Sequence, residues 1–266
     1  MTTAVSGRVY LTGAGPGDPD LQTVRALRLL TTADAVYHDD LIPQAILDLC
    51  RSDAEIVSVG KRCGMKCITQ DEINRALIRA ARSGRSVVRL KSGDPMLYGR
   101  ASEELAALER ERIPCEVVPG VSALFAAAAG TRASLTDRST ASRLIVLTAH
   151  RAGRETAAPL WNGDLPEDAT IAIYMPGSNY PWLAKSLLGA GLPSDTPCLV
   201  VSRAGTNQQQ TLPATLATLQ SRSPLPPPAV VLVGRGCGGQ IGESCAEIAA
   251  EISEPAVTRL RHEFAY

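Results

Sequence analysis

With 266 residues the chain has room for one large domain or two small ones and for a sizeable buried core. Apolar residues make up 45% and charged residues 20%, and no apolar run approaches the roughly 20 residues that span a bilayer, which argues against membrane insertion. Lysine plus arginine equals aspartate plus glutamate at 27 each, so no global field draws nucleic acid or an anionic membrane, and an anionic ligand has to be met by a local cluster.

Short β-branched runs then alternate with helical patterns. Arg8 to Thr12 predicts a strand, Asp20 to Leu30 a helix, Ala35 to Tyr37 and Glu55 to Val59 two strands. Gln70 to Arg82 predicts a helix, Ser86 to Leu90 a strand, Ala101 to Arg110 a helix, Cys115 to Val118 a strand, and Val121 to Ala129 an alanine-rich helix. That order is the βαβ pattern of a mostly parallel sheet, in which ligands sit at the carboxyl ends of strands. The stretch Gly130 to Ser142 is polar and weakly periodic, after which strands resume at Arg143 to Leu147, Thr170 to Tyr174, Cys198 to Val201 and Ala229 to Val233. The proline-rich Ser223 to Pro228 cannot be a central strand and reads as a rigid approach to the last one. The expected architecture is two α/β lobes: an N-terminal α/β domain over 1–138 and a C-terminal α/β domain over 139–266.

The seven cysteines are scattered and odd in number, which favours reduced thiols. Cys63 and Cys67 have metal-pair spacing, but no second Cys or His pair follows, so no metal site is expected. Residues Met1 to Gly7 lack the basic region and apolar stretch of a secretory signal, and the expectation is a cytoplasmic protein.

Three loops carry candidate chemistry. Gly13-Ala14-Gly15-Pro16-Gly17-Asp18 follows a strand and precedes a helix, as a phosphate-gripping loop does. Yet Pro16 removes a backbone donor and Asp18 adds a carboxylate, which disfavours phosphate and leaves a cationic or neutral ligand or a plain tight turn. Lys91-Ser92-Gly93-Asp94-Pro95 ends a second strand, with small residues that let a ligand approach and a carboxylate to receive an ammonium or hydroxyl group. Pro119-Gly120-Val121-Ser122-Ala123 ends a third and opens the alanine-rich helix, whose small side chains suit a flat ligand or close helix packing. His38, Asp39 and Asp40 make a poor chelate, because adjacent residues at a strand end point in opposite directions.

These loops, in this order, resemble the uroporphyrinogen-III C-methyltransferases of the tetrapyrrole methylase superfamily. The wording runs through Val9 to Asp18, Val59-Gly60-Lys61-Arg62, Arg89 to Pro95 and Val117 to Ala123, then Ile173-Tyr174-Met175 and Arg203-Ala204-Gly205-Thr206, so it covers nearly the whole chain. The resemblance implies S-adenosyl-L-methionine folded in the cleft between the two lobes and released as S-adenosyl-L-homocysteine. It assigns the cofactor to Pro16, to Ser92, Gly93, Asp94 and Leu97, to Ser122 and Ala123, and to Met175 and Gly205. Outside that resemblance Met175 reads as core filler after a strand. The same likeness implies Asp39 as proton acceptor, Lys61 as proton donor, no metal, and a homodimer. A tetrapyrrole rich in carboxylates calls for basic forks, with Arg62, Arg100 and Arg138 leading a set that includes Lys66, Arg132 and Arg143. The implied reaction converts uroporphyrinogen III to precorrin-2 by two successive C-methylations, for sirohaem or cobalamin.

The chain departs from the family wording at Asp40, where arginine is common, at Ser92 in place of glycine, across Tyr98-Gly99-Arg100-Ala101-Ser102, and across Leu135 to Thr140. These departures fall on the acceptor side, and Ser92 to Pro95 with Leu97-Tyr98-Gly99 also resembles the precorrin-4 methylases. A non-catalytic cofactor sensor has no need of a proton-transfer pair such as Asp39 and Lys61. Diphthamide-type protein methylation on the same fold fits less well, because Gly60-Lys61-Arg62 belongs to the tetrapyrrole wording.

Overall fold

The computed structural model describes residues 3–60, 68–150 and 159–240. The first part alternates strand and helix: β1 (Val9–Gly13), α1 (Val24–Leu30), β2 (Ala35–His38), α2 (Gln44–Leu47), β3 (Glu55–Ser58), α3 (Gln70–Arg82), β4 (Val87–Lys91), α4 (Ala101–Arg110), β5 (Cys115–Val118) and α5 (Ala123–Thr131). The strands pair in parallel in the order β3, β2, β4, β1, β5. Parallel pairing needs crossover helices, and they cover both faces. Along β1 and β4 alternate side chains turn to opposite layers: Val9, Leu11 and Val87 pack with Ile73, Leu77 and Leu108. Tyr10, Val88 and Leu90 pack with Leu29, Leu30 and Ile46.

Helix α3 starts on a capping box, in which Thr69 Oγ1 accepts from Glu72 N at 3.2 Å and Glu72 Oε2 accepts from Thr69 N at 2.7 Å. The helix expected over 20–30 is shorter. Asp18 caps a single 3-10 turn at Pro19–Leu21, and Thr23, in extended conformation, caps α1 through Oγ1 to Ala26 N at 3.2 Å. Two caps five residues apart make two short elements. Helix α5 likewise starts two residues later than expected, because Ser122 is extended, and it runs to Thr131.

The chain then passes through a short antiparallel bridge between Asp137 and Ala141. The second part contains β6 (Arg143–Thr148), β7 (Ala169–Tyr174), α6 (Tyr180–Gly189), β8 (Pro197–Ser202), β9 (Gln210–Thr215), α7 (Leu216–Leu219) and β10 (Ala229–Val233). Its sheet runs β6, β7, β10, β8, β9, with β6 and β7 parallel and the other pairs antiparallel. The mostly parallel pattern is thus confined to the first lobe. Strand β9 contains Pro213, which is tolerated because β9 is an edge. The last described strand, β10, is central, and the proline run before it is anchored by Leu225 N to the Tyr180 hydroxyl at 3.1 Å. Cys198 and Cys237 are free thiols, and burial pushes both up to about 12. Among the described residues no helix is long and apolar enough to cross a membrane.

Candidate functional site

The carboxyl ends of β1, β4 and β5 are adjacent in the first sheet, and glycines let their loops close on one another. A Cβ on Gly13 would stand 2.5 Å from Gly93 O and 2.6 Å from Gly120 N, so only glycine fits there. Gly15 and Gly93 exchange backbone hydrogen bonds at 3.2 and 2.7 Å, with Gly93 at φ +67°. Asp94 ties the second loop to the third: one oxygen accepts from Met96 N at 2.8 Å, the other from Gly120 N at 3.1 Å. Its carboxylate is therefore first of all a clamp between loops. Leu97 is half-buried just beyond, its N–H donating to Asp94 O at 3.3 Å. Gly93 lies against Ser122 Cα and Ala123 N at 3.8 and 3.9 Å from its Cβ position, and Ser92 flanks it half-buried.

The second lobe closes on these loops at two points. Gly205, at φ +71°, sits where a Cβ would stand 2.6 Å from Pro16 Cγ and 3.0 Å from Ala126 Cβ. At the end of β7 the Tyr174 hydroxyl lies 2.5 Å from Ser122 Oγ and accepts from Leu124 N at 3.0 Å. Burial is the first cause that pushes this phenol above its ordinary value. Tyr98 packs against Tyr174 in a tilted contact, with ring centroids 5.2 Å apart and planes at 53°. The structure thus links Pro16, Gly93, Asp94, Ser122, Ala123 and Gly205 through direct contacts, with Ser92, Leu97 and Met175 beside them.

Backbone strain gathers here as well. Tyr98 and Arg100 at φ 55°, Met175 at 51° and Arg203 at 50° occupy the left-handed region, which costs a non-glycine residue about 1–3 kcal/mol. Met175 is 43% exposed, so the core-filler reading fails: an apolar thioether is held in strained backbone facing solvent. Such outliers cluster at ligand sites.

Asp39 follows β2 and carries an ion pair to Arg89 of β4. Arg89 is buried, with Nε on Glu104 Oε1 at 2.9 Å and Nη1 on Leu90 O at 3.1 Å. Glu104 Oε2 accepts from Lys91 Nζ at 2.7 Å, and burial is the first cause that pushes the Lys91 ammonium below its ordinary value. His38 and Asp40 go elsewhere, His38 Nδ1 to Asp39 O at 2.9 Å and Asp40 Oδ1 to Ser58 Oγ at 3.4 Å.

Among the basic residues, Arg100 is bidentate on Glu103 at 2.7 and 2.6 Å, so an incoming carboxylate meets a fork already engaged. Arg138 is exposed within a turn whose Asp137 accepts from Ser139 and Thr140, contacts that hold Asp137 down to about 2. Arg132 is exposed at the end of α5, and Arg143 pairs with Asp168 at 3.3 Å. Lys61, Arg62, Lys66, Cys63 and Cys67 lie outside the described residues.

Sequence reasoning did not single out Arg89, Glu104, Lys91 and Tyr174, which the structure joins to the candidate residues Asp39 and Ser122. A signal existed for the first three: Arg89 and Lys91 interrupt an apolar strand, and Glu104 sits on the buried stripe of α4 with Ala101, Ala107 and Leu108.

Residues 8–220 match the family described as Tetrapyrrole (Corrin/Porphyrin) Methylases. A uroporphyrinogen-III C-methyltransferase of Paracoccus denitrificans is 43% identical over 244 residues, 90% of this chain and 84% of that one. A siroheme synthase of Gluconobacter oxydans is 41% identical over 86% of this chain, which spans only 49% of that longer protein. The crystal structure of uroporphyrin-III C-methyltransferase from Thermus thermophilus complexed with S-adenosyl homocysteine superposes with a TM-score of 0.72 at 36% identity, covering 86% of this chain and 92% of that one.

Proposed function

The chain belongs to the tetrapyrrole (corrin/porphyrin) methylases, and from that premise we propose that it converts uroporphyrinogen III to precorrin-2 by two successive C-methylations, for sirohaem or cobalamin synthesis. The observation that supports this reading is the closure of Gly205 onto Pro16 and of Tyr174 onto Ser122, contacts that join residues of both lobes to the loops assigned to the cofactor.

The residues fit S-adenosyl-L-methionine. Backbone loops, a glycine cradle at Gly93 and the exposed thioether of Met175 offer polar main-chain atoms and apolar contact. Pro16, which lacks a backbone donor, and the Asp18 carboxylate, which caps the turn that follows, disfavour a phosphate there. The donor supplies a methyl group on a sulfonium: its sulfur–carbon bond breaks as a pyrrole carbon forms the new carbon–carbon bond, leaving S-adenosyl-L-homocysteine and a cationic macrocycle.

The chain's main task is alignment of the acceptor carbon, which is worth about 7–11 kcal/mol in well-oriented systems. Asp39 takes the proton whose departure returns the carbon–hydrogen electron pair to the ring and removes its positive charge. Lys61 is assigned as proton donor, and Arg62, Arg100 and Arg138 as contacts to the acceptor's carboxylates. For Arg100 that role requires release from Glu103. A homodimer working in the cytoplasm, in the domain division 1–138 and 139–266, completes the proposal.

The test is incubation of the full chain with uroporphyrinogen III and methyl-labelled donor. Two labels per macrocycle are expected. Binding of S-adenosyl-L-homocysteine without label transfer, alongside methylation of a later precorrin, would overturn the assigned acceptor.

A further inference from the structure

Four charged side chains form one chain of contacts beneath the site. Asp39 is at the open end, its side chain 33% exposed, and Arg89 and Glu104 behind it are at 3% and 0%. Lys91, also at 3%, closes the inner end. Two buried cations face one buried anion, so the Asp39 carboxylate completes the charge balance. Arg89 is fixed on three sides. Its Nε meets Glu104, its Nη1 meets Leu90 O at 3.1 Å and Tyr37 O at 3.4 Å, and only Nη2 reaches Asp39. Gln70 of α3 adds a hydrogen bond to Glu104 Oε1 at 3.3 Å. A planar guanidinium locked in this way sets the orientation of whatever carboxylate it holds, which a flexible ammonium cannot do.

The register explains how the cluster forms. Arg89 and Lys91 are two residues apart on β4 and so share the face toward α4, where Glu104 occupies a stripe otherwise made of Ala101, Ala107 and Leu108. Beside the cluster the loop carries Gly99, where a Cβ would stand 2.5 Å from Pro95 O and 3.1 Å from Lys91 Cε. A buried ion cluster of this kind is weak evidence for stability as such, which calls for another reason for its presence.

We infer that Arg89 is a positioning residue for proton removal: its guanidinium aims the Asp39 carboxylate, and Glu104, held by Lys91, aims the guanidinium. The inference rests on the proposed role of Asp39 in methyl transfer.

The experiment measures steady-state methylation of uroporphyrinogen III and calorimetric binding of S-adenosyl-L-homocysteine for Arg89→Met, Arg89→Lys, Asp39→Asn and the Arg89→Met/Asp39→Asn double variant. Misaimed groups cost about a hundredfold in rate, and that loss is expected in kcat for Arg89→Met, with KM and the Kd of S-adenosyl-L-homocysteine little changed. Arg89→Lys keeps the buried charge, recovers part of the rate, and carries the same kcat-against-KM split should Arg89→Met fail to fold. The double variant is expected to be no slower than Asp39→Asn alone, since both changes remove one function. Full kcat in a folded Arg89→Met or Arg89→Lys protein, a loss confined to KM or Kd, or multiplicative losses in the double variant overturn the inference while the Asp39 assignment stands. Full turnover by Asp39→Asn overturns both.

Discussion

The Tyr174 hydroxyl, 2.5 Å from Ser122 Oγ, hydrogen-bonds the last residue of a strand in the second sheet to the loop that ends the first sheet. The same oxygen accepts from Leu124 N, so one phenol satisfies a free N–H at the start of α5 and ties the lobes together. Tyr174→Phe keeps the ring contact with Tyr98 and removes both bonds. Unpaired buried groups cost about 1–3 kcal/mol. We predict a loss of that order in denaturant unfolding, and about tenfold weaker binding of S-adenosyl-L-homocysteine by titration calorimetry at 1.4 kcal/mol per decade. Unchanged affinity would show that the latch does not shape the cleft.

Gly205 offers a second test of lobe closure, with an internal control. Gly205→Ala drives a Cβ into Pro16 Cγ at 2.6 Å, whereas Gly177, also at positive φ (66°), has nothing within 4 Å. Gly177→Ala is expected to cost only the left-handed strain of about 1–2 kcal/mol. Gly205→Ala adds overpacking of about 1–3 kcal/mol and separates the lobes. Product binding should therefore weaken in Gly205→Ala and not in Gly177→Ala. Equal binding by both would remove Gly205 from the site.

Much of the first lobe is legible in the sequence because most of its elements carry their own local signal, although the four-residue α2 is too short to show any periodicity. Strand β5 and helices α3 and α4 fall at their expected bounds, since apolar periodicity and the Thr69 cap agree. The second lobe is less so: β9 is masked by Pro213, which only its edge position permits, and the antiparallel pairing around β10 depends on strands distant in sequence. Within the site, the glycine loops are visible as motifs, while the Arg89, Glu104 and Lys91 cluster depends on strand and helix register together. A charged residue in an apolar stripe signals that something pairs with it, but the partner's identity is a tertiary fact.

The cluster has a stability consequence separate from its role in positioning. Glu104→Gln leaves Arg89 and Lys91 buried without their shared anion, and removal of one partner from a buried pair costs about 3–5 kcal/mol. Glu111→Gln, which breaks the exposed pair with Arg82 at 2.6 Å, is expected to cost at most about 1 kcal/mol. Urea titration of both variants with a shared m value measures the difference. Similar midpoints would mean that the cluster is hydrated rather than dry.

Acid stability should depend on Asp34, which joins the starts of β2 and β4. Its Oδ2 accepts from Ser86 N at 2.8 Å and Ser86 Oγ at 2.7 Å, and its Oδ1 from Arg51 at 3.0 Å. The Ser86 backbone contact is the first cause that holds this carboxyl below its ordinary value of 3.8. A folded-state value below the unfolded one means that the unfolded chain binds more protons in that interval, so stability rises with pH there. The contribution is fully present above 3.8 and is lost as pH falls through the lowered folded value. Asp34→Asn resembles the protonated group and lacks that contribution. Thermal unfolding should show the wild type ahead by its full margin at neutral pH, with the gap closing as pH drops below 3.8. A margin that stays constant down to pH values well under that point would mean that the hydrogen bonds to Ser86, and not the charge, carry the effect.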